Sequence, residues 1–163
     1  MEFATAAGRR YNCAMERMRR LQWIFDRTPI FFVTACTQDR RAILANDSIH
    51  GRVEAFAKNG PSHGAWLGAY VWMPDHFHSF IALDDQLSLS NWIRLFKNAL
   101  SKDLRQAGIA APHWQKGFFD HLLRSEESYS EKWTYVRDDP VRAGLVRRWE
   151  DWVYRGEPFR LTM

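Results

Sequence analysis

His76-Phe77-His78 sets two imidazoles two residues apart. Strand side chains alternate between faces, so this spacing turns both rings to one side. Two imidazoles on one face can chelate one divalent ion. A half-buried strand whose histidines only hydrogen-bond to neighbours carries the same short motif, so the spacing leaves both readings open. A second candidate lies in residues 126–138, where Tyr129, Trp133 and Val136 recur at helical spacing. Tyr135 falls about 120° from the centre of that apolar stripe, and Asp139, four residues on, stacks beside it. A tyrosine off the core stripe and next to a carboxylate is a candidate nucleophile with a candidate metal ligand. A rim tyrosine and a loop aspartate give the same pattern. The third candidate is the run from Trp114 to Arg124, in which His121 and Arg124 are placed to contact phosphate, to orient the tyrosine, or to be the polar positions of an alternating strand.

The elements that must position these residues follow from patterning. Residues 30–37 (IFFVTACT) are β-branched and aromatic and follow Pro29, which predicts a strand. Asn46 or Asp47 caps a helix that runs to about Lys58, with Ile49, Val53 and Phe56 at helical spacing, and Asn59-Gly60-Pro61 stops it. Residues 65–72 and 76–83 read as strands around the tight turn Met73-Pro74-Asp75, an antiparallel hairpin. A helix over about 90–106 has Trp92, Leu95, Phe96, Ala99, Leu100 and Leu104 as its core stripe. Its other side carries Arg94, Lys97, Ser101 and Arg105. Gly108 ends it. Residues 118–124 read as a fourth strand, and Ser125 caps a last helix with Pro140 just past its end. The order β-α-β-β-α-β-α is that of a ferredoxin-like (split βαβ) α+β domain: an antiparallel sheet with helices on one face and an extra C-terminal helix. Residues 1–29 form an arginine-dense arm, of which 12–25 are expected to be helical. Residues 149–163 form a tail, rich in aromatics, expected to pack along the domain.

Composition bounds the function. The 163 residues are 46% hydrophobic and 26% charged, which fits one globular domain and excludes disordered, collagen-like and coiled-coil chains. No apolar run approaches the roughly 20 residues a membrane helix needs, so no membrane partner is expected. The first ten residues do not read as a secretory signal. Two cysteines, with no CxxC spacing, exclude a zinc knuckle and fit a reducing cytoplasm. The formal charge is +4, most cations are arginine, and 15% of residues are aromatic, eight of them Trp. A basic, arginine-rich and aromatic chain suits a polyphosphate partner with unstacked bases. The N-terminal arginines, Arg9 and Arg10 among them, and the Arg94/Lys97/Arg105 face are the expected phosphate contacts.

Several stretches taken together resemble one family. They are Phe31-Phe32-Val33-Thr34-Ala35-Cys36-Thr37 with Asp39-Arg40-Arg41, Met73-Pro74-Asp75-His76-Phe77-His78, Trp114-Gln115 with Phe118-Phe119-Asp120-His121, and Tyr135 followed by Asp139-Pro140-Val141-Arg142-Ala143-Gly144-Leu145-Val146. In order and spacing over residues 30–148 they resemble the REP-associated tyrosine transposases, single-tyrosine relatives of insertion-sequence transposases within the HUH endonuclease class. The resemblance implies a metal-dependent single-stranded DNA nicking and joining enzyme that acts on hairpin or palindromic repeat DNA. It implies that His76 and His78 bind the divalent cation, Mg²⁺ or Mn²⁺. Tyr135 is then the nucleophile that forms a 5′-phosphotyrosine, and the last helix is a catalytic one. Asp139 completes the metal site where the family usually has Asn, and a carboxylate is a good hard ligand for either ion. Arg142, within the shared motif, joins His121 and Arg124 as an expected DNA contact. A cytoplasmic, nucleoid-associated monomer or homodimer is the form expected.

The same βαββαβ fold also serves as a non-catalytic hairpin DNA or RNA-binding module that stacks bases on its sheet. A run such as Lys/Arg-Gly-Phe-Gly/Ala-Phe-Val would mark that module, and neither central strand carries one.

Overall fold

The computed structural model describes residues 28–162. The expected helix over 12–25 and the arginines Arg9 and Arg10 lie outside the described residues. Pro29 leads into β1 (Ile30–Cys36), followed by α1 (Asp47–Asn59), β2 (Ala65–Trp72), β3 (His76–Leu83), α2 (Leu89–Gln106), β4 (Phe119–Leu122) and α3 (Glu126–Arg137). A one-turn α4 (Asp139–Arg142) and a two-residue β5 (Arg155–Gly156) complete the order. All strand pairs are antiparallel, in the spatial order β4-β1-β3-β2-β5. The first four strands have the split βαβ arrangement expected from the sequence, and the fold is α+β.

Each long helix starts where a short polar side chain satisfies a free N–H of its first turn. Asn46 accepts from the Ile49 amide at 3.0 Å, Ser88 from Asn91 at 3.3 Å, and Ser125 from Ser128 at 3.2 Å. The sheet has an apolar layer on each face. α1 and α2 bury Ile49, Val53, Trp92, Phe96 and Leu100 against Val33, Leu67, Phe77 and Ile81. On the opposite face Phe32, Trp66, Phe80 and Ala82 meet Val136, Tyr129 and Trp133 of α3 and Leu161 of the tail. The stripe Tyr129-Trp133-Val136 therefore faces the sheet as its spacing predicts.

Four features depart from the sequence reading. The tail does more than pack: β5 extends the sheet through Tyr70↔Gly156 and Val71↔Arg155. The Trp72 amide donates to the Tyr154 carbonyl at 2.8 Å and the Trp152 indole to the Trp72 carbonyl at 2.9 Å. A two-residue strand carries no periodicity from which it could be read. In α2, Leu95 is 44% exposed, whereas Ile93 and Ser101 are buried. The helix is turned so that the Ser101 hydroxyl accepts from the Trp114 indole at 3.0 Å, because a buried indole N–H needs a partner. β4 is shorter than 118–124, since it pairs only from Phe31↔Leu122 to Thr34↔Phe119. Finally, the register of β2 shifts between Leu67 and Tyr70, a bulge that keeps both side chains on the α1/α2 face. Gly68 lies in this bulge, and a Cβ there would come within 2.6 Å of Leu161.

Phe80 is fully buried, with the Tyr129 ring 4.3 Å and the Trp133 ring 6.3 Å from it, centroid to centroid. It is the anchor on which α3 docks. Phe80→Ala is expected to cost about 3–5 kcal/mol, the range for emptying a buried phenylalanine site. Urea denaturation checks this, and the variant should expose the α3 tryptophan first.

Candidate metal and nucleophile site

Period-two alternation along β3 sends Phe77, Ile81 and Leu83 to the α1/α2 layer. It sends Phe80 and Ala82, and with them His76 and His78, to the α3 face. The two imidazole centroids are 4.9 Å apart. Each ring is held through Nδ1. His78 Nδ1 lies 2.7 Å from the Thr34 hydroxyl, its directly paired residue on β1, and the His78 ring stacks on Phe32 at 5.7 Å. His76 Nδ1 donates to the Asp75 carboxylate at 2.7 Å. His76 Nε2 is thereby left as a lone-pair donor, the state in which histidine binds metal, and the Thr34 hydroxyl can hold His78 in the same tautomer once a cation replaces the contact of its Nε2 with Asp139.

The third group arrives from the break after α3. Pro140 has no N–H to offer the carbonyl four residues back, so the helix stops at Arg137 and Asp138 caps it. The chain restarts as α4 with Asp139 in its first turn. Asp139 thus does not stack beside Tyr135 on one continuous helix, as its i+4 spacing predicts. One Asp139 oxygen lies 2.8 Å from His78 Nε2, and the other accepts from the Arg142 guanidinium. The Arg142 guanidinium in turn lies 4.3 Å from the Tyr135 ring centroid. Tyr135, 67% exposed, is therefore joined to the histidines through Arg142 and Asp139.

The donor atoms of His76, His78 and Asp139 all lie within 4.8 Å of one another. Two imidazole nitrogens and one carboxylate oxygen, with both Nδ1 positions already satisfied, fit a divalent cation. Burial, with help from Arg142 and Arg40, pushes the His78 pKa down to about 4. Burial also lowers that of His76, against the opposing pull of Asp75. Contact with Asp139 would by itself favour a protonated His78. It does not prevail against the loss of solvation and the positive charges of Arg142 and Arg40. Burial thus favours the neutral form of both rings, the form that can ligate a cation.

Residues 30–137 match the family described as Transposase IS200 like. The chain belongs to this transposase family. Two curated relatives of this IS200-like chain are similar over most of their length. A Haemophilus influenzae protein named for the REP-associated tyrosine transposases is 26% identical over 145 residues, 80% of each chain. The REP-associated tyrosine transposase of Escherichia coli K12 is 26% identical over 127 residues, 76% of this chain and 73% of its own. The solved structure of a REP-associated tyrosine transposase bound to a REP hairpin has the same fold. Its TM-score is 0.65 at 23% identity, over 93% of this chain and 82% of that one.

Within this IS200-like domain the expected DNA contacts divide between the two faces. His121 pairs with Phe32, so it shares the sheet face of His78, and both His121 and Arg124 are exposed. Neither has a contact to Tyr135 among the described residues. Arg94, Lys97 and Arg105 ride on α2, across the sheet from the histidines. Arg94 and Arg105 are exposed. Lys97 is not free: its ammonium donates to the Gly117 carbonyl at 2.6 Å and lies 5.4 Å from the centroid of the Trp114 ring. Sequence reasoning missed Thr34, Arg40 and Asp75, which hold the rings, and Lys132, whose ammonium lies 5.2 Å from the Phe32 ring centroid. The strand register alone would have paired Thr34 with His78; Arg40 and Asp75 stand within the stretches that carry the family resemblance, which gave them no role, and nothing in the sequence pattern marks Lys132.

The lowered His78 pKa makes stability depend on pH. Below the ordinary value of 6.5 the unfolded chain takes up a proton that the folded site refuses, so acid favours unfolding. The contribution is complete above pH 6.5 and is lost progressively towards about 4. At about 1.4 kcal/mol per pKa unit it amounts to on the order of 3 kcal/mol. Denaturation of metal-free protein across this range should show a shallower acid slope for His78→Gln than for the wild type.

Proposed function

We propose that the chain nicks and rejoins single-stranded DNA beside a hairpin or palindromic repeat, through a 5′-phosphotyrosine on Tyr135. The observation that carries this reading is the unbroken contact path from Tyr135 through Arg142 and Asp139 to His78. It joins a solvent-facing hydroxyl to a candidate cation site. The relative solved with a REP hairpin supports hairpin DNA as the substrate class.

His76, His78 and Asp139 would hold Mg²⁺ or Mn²⁺, which supplies charge neutralisation and orientation at a non-bridging phosphate oxygen. Tyr135 Oη attacks the phosphorus, the Tyr O–P bond forms, and the P–O3′ bond breaks. The phenolic proton is lost to solvent, and the departing oxygen takes up a proton to become a 3′-OH. The reverse step, with a second 3′-OH as nucleophile, rejoins the strand and releases the tyrosine. Bond energy kept in the covalent link makes joining possible, whereas hydrolysis would forfeit it. Arg142 puts a fixed positive charge against the tyrosine ring, and a phosphate entering between the two groups would meet it. His121, on the same sheet face as the histidines, and Arg124, exposed just past β4, would hold flanking phosphates. Arg94 and Arg105, across the sheet, and Arg9 and Arg10 in the arm would engage DNA that wraps past the domain. Residues 30–148 are the catalytic unit in this proposal, 1–29 the basic arm and 149–163 the tail.

The experiment is incubation with hairpin DNA carrying single-stranded flanks and Mn²⁺, read on a denaturing gel. Wild type should cut and form a protein–DNA adduct that resists boiling in detergent. Tyr135→Phe should bind the hairpin and form neither product, whereas Tyr129→Phe, altered on the core stripe, should keep the adduct. His76→Ala or His78→Ala should lower cleavage by at least 10–100-fold. Cutting by Tyr135→Phe would identify water as the nucleophile and overturn the proposal.

A further inference from the structure

Among the described residues only two non-glycine positions have positive φ, and they are consecutive: Asp39 at 55° and Arg40 at 54°. The left-handed region is costly for a side chain bearing Cβ, and two such residues in a row persist only where their surroundings hold them there. The surroundings here are explicit. The Thr37 amide donates to the Asp75 carbonyl at 2.9 Å, and the Gln38 amide to the His113 carbonyl at 2.8 Å. Arg41 clamps the carbonyls of Ala110 and Pro112. The loop after β1 is thereby curled back on itself, and its curl returns the Arg40 guanidinium to the end of β1. There Nε lies 2.8 Å from Asp75 Oδ2, and Nη1 donates to Cys36 Sγ at 2.8 Å.

The two oxygens of Asp75 are divided between partners: Oδ2 takes Arg40, and Oδ1 accepts from His76 Nδ1. We propose that Arg40 is a positioning residue, which through Asp75 holds His76 as the tautomer whose Nε2 is bare and directed to the cation site. The inference rests on the metal-site reading above and deepens it. The third guanidinium nitrogen, Nη2, lies 3.4 Å from His76 Nδ1. Arg40 can only donate. With Asp75 in place, the carboxylate wins the contact with Nδ1 and puts the proton there. Without Asp75, Arg40 would donate to a bare Nδ1 and drive the proton to Nε2, the atom the cation needs. The carboxylate therefore sets the tautomer, and Arg40 sets the carboxylate. His78 has a different partner at Nδ1, the Thr34 hydroxyl, which can accept from it or donate to it.

The test uses the full chain with ¹⁵N-labelled histidine, metal-free, at a pH where His76 is neutral. Long-range ¹H–¹⁵N correlation reads the two ring nitrogens, and Mn²⁺ affinity is measured separately by the EPR signal of free Mn²⁺. Wild-type His76 should show a protonated Nδ1 and a bare Nε2. Arg40→Ala should mix the tautomers and weaken Mn²⁺ binding about tenfold, and Asp75→Ala should move the proton to Nε2 and weaken it towards a hundredfold. The double variant should lose the Nε2 bias of Asp75→Ala. His78 shifts should not move in any of them. Arg40→Gly should lose as much Mn²⁺ affinity as Arg40→Ala yet melt at a higher temperature, because glycine accepts the left-handed backbone. If Arg40 only pins the loop, the variants will change the melting temperature and leave His76 shifts and Mn²⁺ affinity at wild-type values, which overturns the proposal. If the wild type takes up no Mn²⁺, the metal-site reading fails, and the nitrogen shifts still decide the roles of Arg40 and Asp75.

Discussion

The Asp139 carboxylate has one oxygen on His78 and the other on Arg142. Everything specific about the site depends on this division. His78 belongs to a central strand and cannot move without the sheet. Arg142 belongs to the single turn after α3 and carries the link to Tyr135. The carboxylate is thus the one group that ties the rigid sheet to the segment bearing the hydroxyl. It can do so only because Pro140 interrupts the helix, which starts a new turn with Asp139 at its head. An acidic side chain is favoured in a first turn, so the break supplies the group with a suitable local field as well as a position.

The rest of the architecture keeps that junction in place. Phe80, two residues beyond His78 on the same strand face, is the seat of Tyr129 and Trp133. Helix docking and the placement of the candidate ligands therefore share one strand, and the two are set by the same alternation. Burial of Val136 turns its neighbour Tyr135 outwards. The tail closes the far edge of the sheet and packs Leu161 against Gly68, beside the Phe80 cluster on which α3 sits. The α1/α2 layer, with its separate core, leaves the site untouched and gives the sheet its stiffness.

Much of this was legible in the sequence, for reasons that differ by element. His76 and His78 share a face because a period of two allows nothing else once the strand is granted. Tyr129, Trp133 and Val136 announce the buried side of α3 by helical spacing, and the exposed position of Tyr135 follows. What could not be read depends on tertiary partners. Leu95 and Ser101 exchange places because an indole from a later loop needs an acceptor. Lys97 looks like a solvated cation until the loop at Gly117 folds over it. β5 is too short to have a pattern, and the left-handed curl at Asp39 and Arg40 uses residue types that do not advertise it. Sequence spacing sets Asp139 beside Tyr135 on one helix, but that helix ends two residues earlier, and Asp139 meets His78 from the next turn.

The central claim is that three side chains from two elements make one cation site coupled to a tyrosine. Anomalous diffraction from a crystal grown with Mn²⁺ tests it most directly. The account predicts a single strong peak bonded to Nε2 of His76, Nε2 of His78 and a carboxylate oxygen of Asp139, absent in Asp139→Ala. A peak on other residues, or one that Asp139→Ala leaves at full height, would contradict it.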